Sequence, residues 1–224
     1  MELITESICV EEKKGPAITQ VTFDETYYLP DYLPDFFSVI LSDGSVQVEE
    51  SRCIIGQVLI KGMLRFKVLY HTGQSEWKIA SLEGEFPFQE TLILEAAGEF
   101  DMAQTEVVLE DLTIRMMNAR KLNIRALVEI RIQARERKNL EIPVGLDQEE
   151  HMEVKTQKEN YLELCYRGCE RAKIREEVRI PPNKPNINQI LWHQAQLMGM
   201  EIHGENGSVS MQGEIQIFLI YQGM

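Results

Sequence analysis

Apolar and polar residues alternate along most of this chain, which is the period-two pattern of strands with one buried face. Residues 76–94 contain two candidate strands that Pro87 separates. Turn residues lie between these segments, and such a density of short strands predicts an all-β, sandwich-like protein. The alternation is clearest at 17–23, 57–70, 105–117 and 121–133.

Two short segments follow proline-rich turns and do not alternate cleanly. They are 36–41 and 187–197, and we predict one short helix at each of them. Residues 137–160 lose the alternation, gain charge and contain a proline. This composition predicts a linker with at most one strand in it.

The chain repeats itself with an offset of 151 residues, from Leu29 to Ile180. Residues 29–73 align with 180–224 without a gap, and 23–30 align with 174–181 at the same offset. A match of this length indicates a duplicated module. The positions that keep their residue include Pro30 and Pro181, Pro34 and Pro185, Gly62 and Gly213, and Tyr70 and Tyr221.

The repeat predicts two tandem modules with a sandwich-like β fold. The first module spans 1–136, the linker spans 137–160, and 161–224 is the N-terminal half of a second, incomplete module. In the first copy several strands follow Tyr70, whereas the second copy has only three residues after Tyr221. Two interpretations are open: a half-module that packs onto the first, or, as we favour, a piece of a longer protein.

The net charge of the chain limits the kinds of molecule that it can bind. The 224 residues carry a formal net charge of −13, which opposes binding to nucleic acid and docking on anionic lipid. A basic or uncharged protein fits better. The N-terminus does not resemble a signal peptide, and no segment is apolar enough to predict direct membrane insertion. Together with only four cysteines, this predicts a cytoplasmic protein with reduced thiols.

We find no phosphate-binding loop and no hydrolase motif, and the four histidines are scattered. Cys165 and Cys169 are the best metal candidates, but on a strand they lie about 13 Å apart. Asp31 and Asp35 could face each other as a carboxylate pair, although the repeat does not conserve them. We therefore predict a protein that is not an enzyme, without catalytic, metal or cofactor-binding residues.

Two groups of basic residues remain. Arg115, Arg120 and Lys121 form a small patch that we interpret as a solvated guard of a sheet edge. The face opposite the core on the strand ending at Tyr70 is also basic, but its repeat counterpart is not. Contacts with different partners and drift on a solvated face both explain this, and both stay open. The residues concerned are Lys61, Arg65 and Lys67, replaced by Gln212, Gln216 and Phe218.

Three runs carry a resemblance to a known family: FDETYYLPDYLPDFFSVI (23–40), IKGMLRFKVLYHTG (60–73) and GEFPFQETLIL (84–94). Together they resemble the SPOCS domain of endospore-forming bacteria, as found in the N-terminal part of SipL-like spore-coat morphogenetic proteins. The resemblance assigns a structural signature, and no binding role, to nine residues: Pro30, Pro34, Gly62, Phe66, Tyr70, Pro181, Pro185, Gly213 and Tyr221.

The resemblance implies a non-enzymatic protein–protein interaction scaffold in spore coat and envelope assembly during sporulation. It also implies a location in the mother-cell cytoplasm at the forespore surface, with spore coat morphogenetic proteins as partners. Self-association through the incomplete second module is a further expectation. The alternative is a carbohydrate or cell-wall binding module, which would need an exposed aromatic platform, and Trp77 and Trp192 are the only tryptophans.

Overall fold

The structure is a computed structural model that describes residues 3–73, 78–99, 101–147, 155, 157–158, 160, 173–205 and 207–224. The predicted all-β class is confirmed, since the described residues form strands in three sheets and no helix. The eight strands are β1 (Leu3–Tyr28), β2 (Ser38–Ile54), β3 (Gln57–His71), β4 (Ile79–Ile93), β5 (Met102–Asn118), β6 (Lys121–Leu146), β7 (Ile187–Glu205) and β8 (Ser208–Gly223).

The two predicted short helices are wrong. Residues 38–41 begin β2, and 187–197 belong to β7. Both strands contain a register shift near their start, between Val39 and Leu41 in β2 and between Ile190 and Trp192 in β7. One extra residue on one strand moves the following side chains to the other face, so the alternation that identifies a strand is interrupted there.

The prediction that Pro87 separates two strands is wrong, because both segments belong to β4. Pro87 lies opposite Met63 in a ladder that runs without a break from Ile79 to Ile93. β4 is the edge strand of a sheet with the order β2-β3-β4. An edge strand needs hydrogen bonds on one side only, so a residue without an N–H can face the open side.

Two three-stranded antiparallel sheets, β1-β6-β5 and β2-β3-β4, pack into a sandwich. Their central strands, β6 and β3, supply the side chains that meet between the sheets. At one side the sandwich closes, because β2 lies against β5 and the hydroxyls of Ser51 and Thr105 are 2.6 Å apart. The fully buried side chains of the two central strands include Val58, Ile60, Leu64, Val68, Leu122, Ile124, Val128, Ile130 and Ile132.

β1 and β6 extend beyond the sandwich as a two-stranded ribbon, in which Leu3 pairs with Leu146. Residues 137–146, which we assigned to the linker, are therefore the last part of β6. At the base of the ribbon, Lys14 Nζ lies 2.8 Å from Asp101 and 3.0 Å from Glu136. The domain boundaries at 136 and 160 stay predictions.

The third sheet is the β7–β8 hairpin, and it repeats the register of β2–β3. Val39 pairs with Tyr70, and Ile190 pairs with Tyr221 at an offset of 151 residues. The turns also agree, because Gly56 and Gly207 have φ angles of 75° and 81°. Glycine is the residue that adopts this left-handed conformation without steric cost. Among the described residues, the second copy is thus the β2–β3 unit without the sheet that covers it in the first copy.

We expect Gly62→Ala to lower the free energy of unfolding by about 1–3 kcal/mol, the usual range for overpacking a core. A Cβ at this position would lie 2.5 Å from Phe88 Cζ and 2.6 Å from the backbone oxygen of Gln47. The backbone oxygen cannot move without distorting the β2–β3 ladder. Urea denaturation followed by circular dichroism measures the change.

Gly145→Ala is the matched control, because its Cβ would make an ordinary 3.6 Å contact with Ile4 Cδ1. Its effect should stay within about 0.5 kcal/mol. A Gly62→Ala protein as stable as the parent would contradict the close approach at Gly62.

Candidate interaction surface

The β7–β8 hairpin exposes the face that β2–β3 buries in the first module. Four apolar residues of β8 are 45–65% exposed, whereas their counterparts on β3 are 0–1% exposed. The same pattern of side chains is therefore core in one copy and surface in the other. The exposed residues are Val209, Met211, Ile215 and Ile217, and their buried counterparts are Val58, Ile60, Leu64 and Phe66.

β7 extends this apolar surface, since Ile190, Leu197 and Ile202 pair with residues on the same face of β8. Each of the three is about half exposed or more. We call the seven exposed residues from both strands the bare face. No Asp, Glu, Lys or Arg of the described hairpin lies on the same side of the sheet as these seven residues. The only titratable residues on that side of the described hairpin are His193 and Tyr221. The acidic Glu201 and Glu214 lie at register positions of the opposite face.

The opposite face of the hairpin contacts the first module. Leu191 and Trp192 are buried together with Leu69, which points outward from β3, and Ile220 packs against them. Lys67 Nζ donates a hydrogen bond to the backbone oxygen of His193 at 2.9 Å and lies 5.8 Å from the centre of the Trp192 ring. A small apolar cluster and one lysine thus hold the hairpin.

Within the part of the second copy that the structure describes, one residue of the basic face predicted on β3, Lys67, makes a contact. Lys61 pairs with Glu50 at 2.8 Å, and Arg65 lies 3.4 Å from Glu85. These exposed pairs contribute little to stability. They do neutralise two of the three charges within the first module.

Eight of the nine signature residues form four pairs that occupy equivalent places in the two copies. Pro30 and Pro34, like Pro181 and Pro185, lie in the turn before a hairpin, and Gly62 and Gly213 lie opposite a register shift in the paired strand. Phe66 is in the core of the first module. The hydroxyl of Tyr70 donates to the backbone oxygen of Pro34 at 3.0 Å, and Tyr221 does the same to Pro185 at 3.1 Å.

Arg120 has a role that the sequence did not predict, since it holds the turn of residues 29–35. Its guanidinium donates hydrogen bonds to the backbone oxygens of Leu29, Pro30 and Leu33 at 2.9–3.1 Å. It also contacts Asp35 at 3.0 Å and Asp31 at 3.3 Å. The two carboxylates that we weighed as a catalytic pair are therefore both partners of one arginine.

Some candidates from the sequence lie outside the described residues, namely Cys165, Cys169 and Trp77. Within the described part of the chain, no group of three or more His, Cys, Asp or Glu side chains could hold a metal ion. No helix among those residues is long and apolar enough to cross a membrane.

We expect Tyr70→Phe to lower the free energy of unfolding by about 1–2 kcal/mol, because the backbone oxygen of Pro34 loses its hydrogen bond. Burial raises the pKa of Tyr70 to about 12, although nearby Arg120 partly opposes this. An unfolded tyrosine titrates near pH 10. The neutral hydroxyl thus stabilises the fold fully below about pH 10, and this contribution is lost as the pH rises toward 12.

Urea denaturation of the parent and Tyr70→Phe proteins between pH 7 and 11 measures this difference. The difference between their free energies of unfolding should decrease above pH 10. Tyr221→Phe is the control, since Tyr221 makes the same hydrogen bond at a more exposed position. An equal loss from both variants, or a gap that does not change with pH, would contradict the assignment.

We expect Leu69→Ala to weaken the contact between the hairpin and β3 by about 1–2 kcal/mol, from the apolar area it removes. Trp192 is 4% exposed in this contact. In a Trp77→Phe background its fluorescence should become more accessible to acrylamide. Leu59→Ala changes the same face of β3 about 33 Å away and should leave the quenching unchanged. Equal quenching in both variants would contradict the contact.

A comparison with known protein families finds a match within the first module. A family model described as SipL, SPOCS domain, matches residues 35–117, a range that holds β2, β3, β4 and nearly all of β5. This match confirms the predicted resemblance to the SPOCS-domain family. No curated protein and no solved structure matches the chain.

Proposed function

We propose that this chain, whose residues 35–117 match the SPOCS domain, is a non-enzymatic protein–protein interaction scaffold in spore coat assembly. The match itself indicates a sporulation-related protein. The proposal places the protein in the mother-cell cytoplasm at the forespore surface. Its partners there are the spore coat morphogenetic proteins.

The bare face is the observation that carries this proposal. Apolar residues that are 45–66% exposed along two paired strands form a continuous surface, and such surfaces mark sites of contact with other proteins. The surface is open and extended, which suits the face of another protein better than a small substrate. Docking through Trp192 and Leu69 uses the other side of the hairpin and leaves the bare face accessible.

The net charge of −13 adds a condition on the partner. A strongly acidic protein would be repelled at long range, while a basic or uncharged one would not. A coat protein that contacts this chain should therefore present an apolar surface with a neutral or basic rim. This chemistry supports a protein partner rather than nucleic acid.

The carbohydrate-binding alternative depended on exposed tryptophan rings. Trp192 is buried against Leu69 and Leu191, so its ring is not offered to a sugar. Trp77 lies outside the described residues. The scaffold proposal has a specific surface to support it, whereas no tryptophan that the structure describes offers an exposed ring to the alternative.

The test is the location of the protein, fused to a fluorescent tag and expressed in a sporulating host. We expect a cap or ring at the forespore surface, because coat proteins assemble there. Ile217→Glu places a charge on the bare face and should make the signal diffuse. Gln216→Glu adds the same charge to the opposite face of β8 and should leave the ring in place.

Two results would overturn the proposal. A diffuse signal from the parent protein throughout sporulation would exclude recruitment to the forespore. A ring that persists with Ile217→Glu would show that a surface other than the bare face recruits the protein. Immunoblots of equal intensity are needed to exclude degradation of either variant.

A further inference from the structure

We propose that the first module has its own protein-binding surface, at one end of the outer face of its β1-β6-β5 sheet. The surface consists of Tyr28, Tyr32, Arg115, Met117 and Lys121, and we call it the tyrosine patch. Its occupant is a segment of another protein that carries a carboxylate beside an apolar side chain. The inference goes beyond the proposed function, because it uses no residue of the bare face.

The tyrosine patch lies at the end of the β1–β6 ladder, where Tyr28 pairs with Lys121. The next residue of β6, Leu122, is fully buried in the core, so by alternation Lys121 and its partner Tyr28 point outward. Arg115 of β5 pairs with Asn123, two residues further along β6, and therefore lies on the same face. The patch is thus built from all three strands of the sheet and from the turns beside them.

The position of the tyrosine patch separates it from the other contacts of the first module. Leu3 and Leu146 pair at the opposite end of the β1–β6 ladder, and the 26 residues of β1 span about 80 Å. The β7–β8 hairpin docks through Leu69 on the outer face of the other sheet. The exposure of Tyr28 follows from its place on the outer face of the first module.

The repeat shows that the turn beside the patch does not need exposed aromatic rings. The same turn forms in both copies, because Leu33 N donates to Pro30 O and Lys184 N donates to Pro181 O, each at 3.0 Å. Two outward tyrosines of the first copy are nevertheless polar in the second, and they are 64% and 83% exposed. Tyrosine is enriched where proteins contact one another, so binding explains these rings better than folding does. The outward pairs are Tyr28 with Arg179 and Tyr32 with Asn183.

The tyrosine patch is ordered before any partner binds. Leu29 N donates to the backbone oxygen of Arg120 at 2.9 Å, and the Arg120 guanidinium holds the backbone of the turn in return. Lys121 Nζ lies 5.0 Å from the centre of the Tyr28 ring, a cation–π contact that restrains both side chains. Tyr32 is four residues from Tyr28, so their Cα atoms are at most about 14 Å apart. A surface held in this way loses little conformational entropy on binding.

Charge complementarity determines the kind of partner. Among the described residues no carboxylate pairs with Arg115 or Lys121, whereas three nearby carboxylates already contact arginines. A partner's carboxylate can therefore contact these two cations, while Tyr28 and the 60% exposed Met117 accept its apolar neighbour. The net charge of −13 still repels a partner that is acidic throughout, so the carboxylate belongs to a largely neutral segment. The existing pairs are Asp24 with Arg125, and Asp31 and Asp35 with Arg120.

The experiment selects peptides from a random phage-displayed library on the immobilised full chain, with the Tyr28→Thr protein for counter-selection. We expect enriched peptides to carry Asp or Glu next to an aromatic or aliphatic residue. Fluorescence anisotropy of the synthetic peptides should show binding at least about tenfold weaker for Tyr28→Thr. Lys121→Gln or Arg115→Gln should weaken it about threefold. Threonine suits an exposed strand position, and circular dichroism checks that each variant is folded.

Arg131→Gln is the matched control, since it removes the same charge from the same face of β6 about 33 Å from Lys121. It should stay within about twofold of the parent. Ile217→Glu should also leave peptide binding unchanged, so this test and the forespore test can fail separately. The proposal is overturned if no peptide is enriched on the parent over Tyr28→Thr, if the enriched peptides are basic, or if Arg131→Gln weakens binding as much as Lys121→Gln. Glycan binding that depends on Tyr28, without any enriched peptide, would assign the patch to carbohydrate instead.

Discussion

The packing of β3 against β6 is the contact on which the rest of the first module depends. Every second residue of both strands is buried between the sheets, from Val58 to Val68 and from Leu122 to Ile132. Each Val, Leu, Ile or Phe side chain among them stabilises the fold by about 1.5–3 kcal/mol relative to exposure. The flanking strands, the Tyr70 hydrogen bond and the Arg120 contacts all hold elements in place around this layer.

The second copy shows what the same sequence pattern does without that contact. β7 and β8 keep the register, the glycine turn and the tyrosine hydrogen bond of β2 and β3. The apolar side chains of the bare face stay exposed, because the described residues include no sheet that covers them. The stretch equivalent to the end of β1, at 174–179, is likewise not a strand. Local pairing thus survives alone, whereas burial requires the opposing layer.

The sequence was sufficient for the features that depend on local pattern. Alternation identified most of the strands, and the 151-residue offset identified two equivalent stretches, which the structure shows as hairpins with the same register. The prediction from sequence failed at the register shifts beside Val39 and Ile190, because one extra residue there breaks the period of two. It also misjudged Pro87, because the position of a strand in its sheet is not a local property. Arg120 could not be found either, since its partners lie about 90 residues away and are mostly backbone oxygens.

The location of a contact surface followed from comparing two copies rather than from any motif. A residue such as Ile217 is typical of a core strand, and nothing in its neighbours predicts exposure. Only the contrast with Phe66, at the equivalent and fully buried position, shows that the hairpin retains a core face that no described element covers. Evolutionary drift on a solvated face would be expected to introduce charge, as at Glu214 on the opposite side. An apolar face that stays uncharged in a chain of −13 is therefore best explained by a surface that is covered when the protein acts.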